Sequence, residues 1–535
     1  MTRPHHRVGE MAWNAWGDPG QARTLNDSVR QLITQALSVT TEAEAPVPEA
    51  DLSLVPSALP DAAHAALATV VGSEHVLTDA TTRVLRSGGK STPDLLRRRA
   101  GDVASAPDAV VRPGTHQEVE EALAACAWHQ IAVVPFGGGT SVVGGVEPLR
   151  GRFGAVISLD LRRLDRLVEL DTESGTATLE AGLRTPEAEE LLNAEGFTLG
   201  HFPQSYEFAT IGGYAATRSS GQASAGYGRF DDMVTGLRVA TPRGTLDLGR
   251  APASAAGPDL RQLFLGSEGT FGVITEVTVR VRRVPEQRRD EAWSFPDFAR
   301  GVAAVRALAQ SGALPTSIRI SDETETFVNA AIAGSAAPEG CLAVVGHEGT
   351  EERIAERRAA VAAVLREHGA TPLNQDTAGD WRRSRFSGPY LRDALLDTGI
   401  LTETLETATT WSGIAGLKER VTAALTESLG ADGPAPVVFC HLSHAYPSGA
   451  SLYFTVATDA GAEPEKRWRA AKRSASDAIA AAGGTITHHH AVGVDHAPWM
   501  EAEIGPLGVE VLAAVKKAVD PLGILNPGKL IPTQS

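Results

Sequence analysis

The stretch Pro135-Phe136-Gly137-Gly138-Gly139-Thr140-Ser141-Val142-Val143-Gly144-Gly145 follows directly on Ile131-Ala132-Val133-Val134, an apolar run with the make-up of a buried strand. Glycines let backbone N–H groups crowd round an anion, and the Thr140 and Ser141 hydroxyls add donors, so the segment suits a pyrophosphate. No Lys-Ser/Thr pair follows, unlike a P-loop, and no helical pattern opens behind it, unlike a Rossmann fingerprint. Taken alone, the motif is equally a plain glycine turn between strands.

Working outward, Ala109-Val110-Val111-Arg112 reads as a short strand and Pro113-Gly114 as a turn. Thr115 with Glu118 predicts a capping box, and Val119, Leu123 and Cys126 follow at helical spacing. A strand–helix–strand unit therefore delivers the glycine loop. Further strands are predicted over 155–159, 166–170 and 176–180, and a helix over 186–195 with proline in its first turn. From about residue 285, helical stretches such as 298–309 and 351–368 alternate with apolar strands such as 341–345. The pattern predicts an α+β protein. Residues 1–104 form an N-terminal helical extension and linker, 105–284 the glycine-loop domain, 285–480 a second, α+β cap domain, and 481–535 a C-terminal segment returning to the first lobe.

The length of 535 residues exceeds what one core usually supports, and 42% apolar with 21% charged residues is ordinary for a globular chain. No run of about twenty apolar residues appears, so no membrane span is expected. A formal charge of −16 disfavours nucleic acid as a partner. Cys126, Cys341 and Cys440 are odd in number and widely spaced, and Met1-Thr2-Arg3-Pro4-His5-His6 leads into no apolar segment. Reduced thiols and no export are expected, hence a cytoplasmic protein.

Two more segments repeat the mixture of hydroxyls and glycines. One is Pro203-Gln204-Ser205-Tyr206-Glu207-Phe208-Ala209-Thr210-Ile211-Gly212-Gly213, running on to Thr217-Arg218-Ser219-Ser220-Gly221; the other is Gly266-Ser267-Glu268-Gly269-Thr270-Phe271-Gly272-Val273-Ile274. Such stretches can wrap a flat ring system whose edge needs donors and whose faces need apolar cover. In this order and spacing, the three segments resemble the FAD-binding domain of the vanillyl-alcohol oxidase/p-cresol methylhydroxylase flavoproteins. The resemblance implies a two-subdomain FAD-binding domain. Residues 135–141 would hold the FAD pyrophosphate, with 204–210, 217–220 and 268–274 round the ribityl chain and flavin. No His or Cys lies in the first loop, so non-covalent FAD is expected.

Within that family, Trp13-Asn14-Ala15-Trp16-Gly17, Ser317-Ile318-Arg319, Tyr390-Leu391-Arg392-Asp393, Thr404-Leu405-Glu406-Thr407, Trp411, Tyr453 and His488-His489-His490 resemble the alkyldihydroxyacetonephosphate synthases of ether-lipid synthesis. That resemblance implies exchange of the acyl group of acyl-dihydroxyacetone phosphate for a fatty alcohol, with no net redox change at the flavin. Arg392 would bind the substrate phosphate, Arg319 would assist, Tyr453 would act as acid/base, and the three histidines would be required. A homodimer with peripheral membrane contact is the expected form, and no metal is assigned.

The residues themselves agree with this but leave plainer readings open. Three histidines on a strand would alternate faces, so at most two could share a site. A neutral imidazole carries protons near pH 7. Tyr453 could serve as acid or base only with a lowered pKa, and is otherwise a strand tyrosine with a satisfied hydroxyl. Arg392 could grip a phosphate bidentately, or simply pair with Asp393 or Asp397. The alternative chemistry on the same scaffold is a flavin-dependent D-2-hydroxy acid dehydrogenase/oxidase. Its metal-binding HxxGDGNxH and EHG segments are replaced here by His444-Ala-Tyr-Pro-Ser-Gly-Ala-Ser-Leu-Tyr453 and His489-His490-Ala491, although the terminal Asp520–Lys529 stretch favours it. A metal site rebuilt from His441, His444 and the triplet is a further option.

Overall fold

In the computed structural model, which describes residues 2–532, the apolar runs Ala109–Val111, Val156–Asp160 and Ala132–Phe136 pair in parallel. Val76–Leu77 adds an antiparallel edge. The helix His116–His129 covers this sheet with Val119, Ala122, Leu123 and Cys126 buried on one stripe. Thr115 caps it by accepting from the Glu118 N–H, but the Glu118 carboxylate turns to the Gly114 N–H at 2.7 Å. The expected capping box is therefore only half closed. Part of the 1–104 extension is built into this layer: Asp61–Val71 contributes Ala63, Leu67 and Val71 to the same core. The C-terminal segment returns here too. Val133 N–H donates to Ile524 O and Asn526 N–H to Val133 O, both at 2.8 Å, with Ile524 and Leu525 fully buried.

A second, antiparallel sheet runs in the order Leu167–Asp171, Thr176–Glu180, Val273–Arg280, Val234–Thr241, Gly244–Leu248. The third sheet forms the other lobe. Its seven antiparallel strands are ordered Thr371–Pro372, Gln287–Phe295, Cys341–Gly349, Ser317–Ser321, Val437–Ala445, Gly449–Asp459 and Ile400–Thr410. Alternation decides what each face of this sheet does. Ile320, Cys440, Leu442, Leu452, Phe454, Val456, Leu401 and Leu405 point into a core covered by the helices Phe298–Ser311, Glu351–Glu367, Ile414–Gly430 and Pro464–Ala481. The intervening residues, Arg319, Phe439, His441, Tyr453, Thr455, Thr402 and Thr404, wall a cavity against the glycine-loop lobe. Among the described residues, no helix is long and apolar enough to cross a membrane.

Candidate active site

The glycine loop lies pressed against the start of the helix Ile211–Thr217. A Cβ on Gly138 would stand 2.1 Å from Phe208 O, and one on Gly137 would stand 2.3 Å from the Thr210 hydroxyl. Gly139 has φ +69, a conformation that only glycine adopts cheaply. Among the described residues, the N–H groups of Gly138, Gly139 and Thr140 donate to no protein atom. Free amides converging at the end of a strand form an anion cradle.

This cradle opens into a cavity of about 700 Å³. Of the residues expected to hold FAD, Gly137, Gly138, Gly139, Thr140, Ser141, Gln204, Ser205, Ala209, Thr210, Thr217, Ser219 and Ser220 line it, joined by Val142, Gly213, Tyr214 and Gln222. Ser220 Oγ and Gln222 Oε1 are buried without a partner among the described residues, as the polar edge of a hydrogen-bonding ring would require. The cradle, the volume and these orphaned groups fit FAD.

The other expected FAD residues brace the cavity from outside its lining. Phe136 packs under the Arg86 guanidinium at 4.8 Å, and Pro135 sits against Gly269. Tyr206 stacks on Phe386 at 5.2 Å, Glu207 accepts from the Tyr390 hydroxyl at 3.3 Å, and Phe208 meets Trp16 edge-on. Arg218 turns away to Asp231 at 2.7 Å. The segment Glu268, Gly269, Thr270, Phe271, Gly272, Val273 and Ile274 does not reach the cavity. Glu268 instead accepts the N–H groups of Val492 and Gly493 at 2.9–3.0 Å, while Phe271, Val273 and Ile274 are buried in the apolar cores. Burial pushes the Glu268 carboxyl up to about 7, against the pull of those two N–H groups.

On the sheet side, register places His441, Tyr453 and Glu406 side by side, since Tyr453 pairs with His441 on one flank and with Glu406 on the other. His441 stacks on Tyr453 at 4.9 Å, and the Tyr453 hydroxyl donates to Thr404 Oγ1 at 3.0 Å. Burial pushes the Tyr453 phenol up to about 12, with Thr404 pulling the other way, so the lowered pKa anticipated for acid/base work is absent. Nothing within its reach is cationic enough to offset desolvation. Tyr453 stands as a protonated donor.

The histidine triplet is not on a strand. It occupies a loop whose N–H groups are gathered by Glu406: Oε2 accepts from His488 N at 2.6 Å, and Oε1 accepts from His489 N at 3.1 Å, His490 N at 2.8 Å and Thr487 Oγ1 at 2.6 Å. His489 and His490 line the cavity. His488 points elsewhere, accepting or donating at Nε2 with the Tyr446 hydroxyl at 2.7 Å and touching His489 Nδ1 at 3.0 Å. Burial lowers the pKa of His488 and His489, and takes His490 down to about 3, leaving the imidazoles neutral. Burial opposes ionisation of Glu406, yet attraction to His489, His490 and His488 as they protonate in acid, with the Thr487 hydroxyl, holds it well below the usual carboxylate range.

Atoms of Glu406, His488 and His489 that could bind a metal lie within 4.8 Å of one another. The carboxylate already accepts four hydrogen bonds, so the arrangement is a clamp on the loop rather than an open ligand set. In the sequence His441 stood out only as a possible metal ligand and Glu406 only as part of the Thr404–Thr407 motif; the strand pairing that makes both neighbours of Tyr453 gives them their place in the site.

Arg319 donates to Glu325 Oε1 at 2.7 Å, and His441 Nδ1 meets the same oxygen at 3.0 Å, so both are held toward the cavity. Arg392 borders the cavity while its Nε donates to Asp393 at 3.0 Å and its Nη1 to Lys90 O at 2.5 Å. The pairing with Asp393 is therefore real, but buried. Asp397 pairs with Arg99 instead. Beyond these polar groups the cavity becomes apolar, between Val29, Leu32 and Ile33 of one helix, Phe327 and Ile332 of another, and Leu391 and Leu395 of a third. Leu32 and Phe327 are 51% and 64% exposed at its mouth.

Residues 107–248 match the FAD binding domain family model, and residues 284–530 match the family model of FAD linked oxidases, C-terminal domain. The chain is 33% identical to alkyldihydroxyacetonephosphate synthase of Trypanosoma brucei brucei over 98% of its own length and 93% of that protein's. It is 34% identical to the enzyme of that name from Dictyostelium discoideum, covering 85% and 78% of the two chains. A solved alkyldihydroxyacetonephosphate synthase structure superposes with TM-score 0.84 at 28% identity, covering 97% of this chain and 99% of that one. The chain belongs to the alkyldihydroxyacetonephosphate synthase family of FAD-binding proteins.

Proposed function

We propose that this protein exchanges the acyl group of an acyl-dihydroxyacetone phosphate for a fatty alcohol, the ether-forming step named by its relatives. One observation carries the reading: a single cavity joins free loop amides, a tyrosine–histidine row and an apolar mouth. In the division of labour this implies, 105–284 holds FAD, 285–480 supplies the sheet face, and 481–535 brings the histidines back to it. Gly137, Gly138, Gly139, Thr140 and Ser141 would hold the pyrophosphate, and Thr210, Ser219 and Ser220 the rest of the cofactor. When bound, the flavin supplies a ring that activates the substrate carbon without net gain or loss of electrons.

The chain's own groups do the remainder. Arg392 and Arg319 bind and orient the phosphorylated substrate. Neutral His489 takes a proton from the substrate carbon and Tyr453 returns one to it, the phenol then being reprotonated by the imidazolium; neutral His490 takes the proton of the incoming alcohol, and the fatty acid leaves as its carboxylate. The apolar end takes the acyl and alkyl chains. With imidazole pKa values lowered and the phenol raised, these protonation states persist across neutral pH, so activity is expected to be flat from about pH 7 to 9.

Tyr453→Phe tests the assignment. Since Thr404 is the sole partner of the hydroxyl among the described residues, flavin content should be unchanged while ether formation, measured with labelled alcohol, falls about 10²–10⁴-fold. Retained turnover would remove Tyr453 from the chemistry. The reading also includes a cytoplasmic homodimer that touches membrane at the mouth. Binding to lipid vesicles should then be lost in Leu32→Asp/Phe327→Asp, with the dimer intact by sedimentation. The competing hydroxy-acid dehydrogenase is disfavoured by the saturation of the Glu406 carboxylate and by Tyr453 standing where that chemistry needs a ligand.

A further inference from the structure

Trp16 is 5% exposed and borders the central cavity, and its indole Nε1–H has no hydrogen-bond partner among the described residues. A buried donor left unpaired is unfavourable unless a ligand completes it. The surroundings fix this donor firmly. The Trp16 main-chain N–H donates to Asp393 Oδ2 at 2.5 Å, and Oδ1 of the same carboxylate takes Arg392 Nε at 3.0 Å. One buried aspartate thus ties the tryptophan to the arginine assigned to the phosphate.

The segment that delivers Trp16 is pinned carbonyl by carbonyl. Lys90 Nζ donates to Ala12 O and, at 2.8 Å, to Ala15 O; Arg98 Nη1 donates to Trp13 O at 2.6 Å and Arg99 Nε to Asn14 O at 3.2 Å. The indole itself is set edge-on to Phe208, with ring centroids 6.0 Å apart. Three cations spent on main-chain oxygens leave the side chain of Trp16 little freedom to move.

We propose that Trp16 Nε1 donates a hydrogen bond to a phosphoryl oxygen in this cavity, completing the anion site that Arg392 opens. The chemistry stands on the geometry, while the identity of the phosphate rests on the function proposed above. Two phosphates share it: that of the substrate, favoured by the Asp393 link, and the flavin pyrophosphate, whose loop borders the same space.

Trp16→Phe keeps the aromatic contact and removes only the donor. In the holoenzyme, calorimetric binding of dihydroxyacetone phosphate should weaken about tenfold with the flavin-to-protein ratio unchanged. Weaker FAD uptake by the apoprotein instead would retain the donor and assign it to the cofactor. Both affinities within twofold of the parent would overturn the proposal. If the variant fails to fold, the full-length wild-type holoenzyme carrying ¹⁵N-indole tryptophan gives the answer: one of its eight indole N–H signals should move downfield on titration with inorganic phosphate. Eight unmoved signals there, and again when FAD is added to the labelled apoprotein, would refute the donor. Failure of the wild type to make ether would refute the proposed function without touching this result.

Discussion

Gly138→Ala is expected to give a colourless protein. The added Cβ would stand 2.1 Å from Phe208 O and 2.8 Å from Ala209 Cα, and both are main-chain atoms that no rotamer change can move. The loop must therefore shift, and overpacking of this kind typically costs about 1–3 kcal/mol. The larger loss is functional. The amides of Gly138, Gly139 and Thr140, which donate to nothing else among the described residues, would no longer converge on one anion. Flavin affinity, measured by reconstitution and absorbance, should fall on the order of 100-fold or more, equivalent to about 3 kcal/mol. A variant as yellow as the parent would mean that the pyrophosphate sits elsewhere.

Glu406→Ala is expected to leave the flavin bound but reduce turnover below about 1%, because it unmakes the loop that aims His489 and His490. Four donors at 2.6–3.1 Å would lose their acceptor. Each unpaired buried donor costs about 1–3 kcal/mol, enough to release residues 487–490 from the sheet. Glu406→Gln should be intermediate, since its amide nitrogen cannot accept from a backbone N–H. The folded pKa of this carboxyl is depressed, so its stabilisation is complete above the unfolded value of 4.5 and is lost as pH falls toward the lower folded value. The melting temperatures of parent and variant should accordingly converge in acid. Normal kcat in Glu406→Ala would show that the clamp is dispensable.

How much of this was legible in the sequence depended on range. The glycine loop and the strand–helix–strand unit before it are local, and their spacing was sufficient. Tyr453 sits in an alternating run, so its strand was readable and its cavity-facing side followed from the register. The Glu406 clamp was not readable, because it joins groups more than eighty residues apart through the pairing of 400–410 with 449–459. The histidine triplet was expected on a strand for the same reason. Its N–H groups look like ladder donors until the buried carboxylate is seen to take them. Glu268, with φ +52, turned the third glycine segment toward residues 492–493 instead of the cavity. The Trp13–Gly17 motif was conspicuous in the sequence but mute about its role, since its partner Asp393 is 377 positions away.

Everything central to the mechanism reduces to whether a flavin beside Tyr453 and His489 makes ethers or oxidises hydroxy acids. Purified holoenzyme given palmitoyl-dihydroxyacetone phosphate with labelled hexadecanol, and separately D-lactate with a dye acceptor, decides it. The account requires labelled ether product with no net flavin bleaching in the first reaction and no dye reduction in the second. Rapid bleaching by D-lactate, with no label in ether, would contradict it.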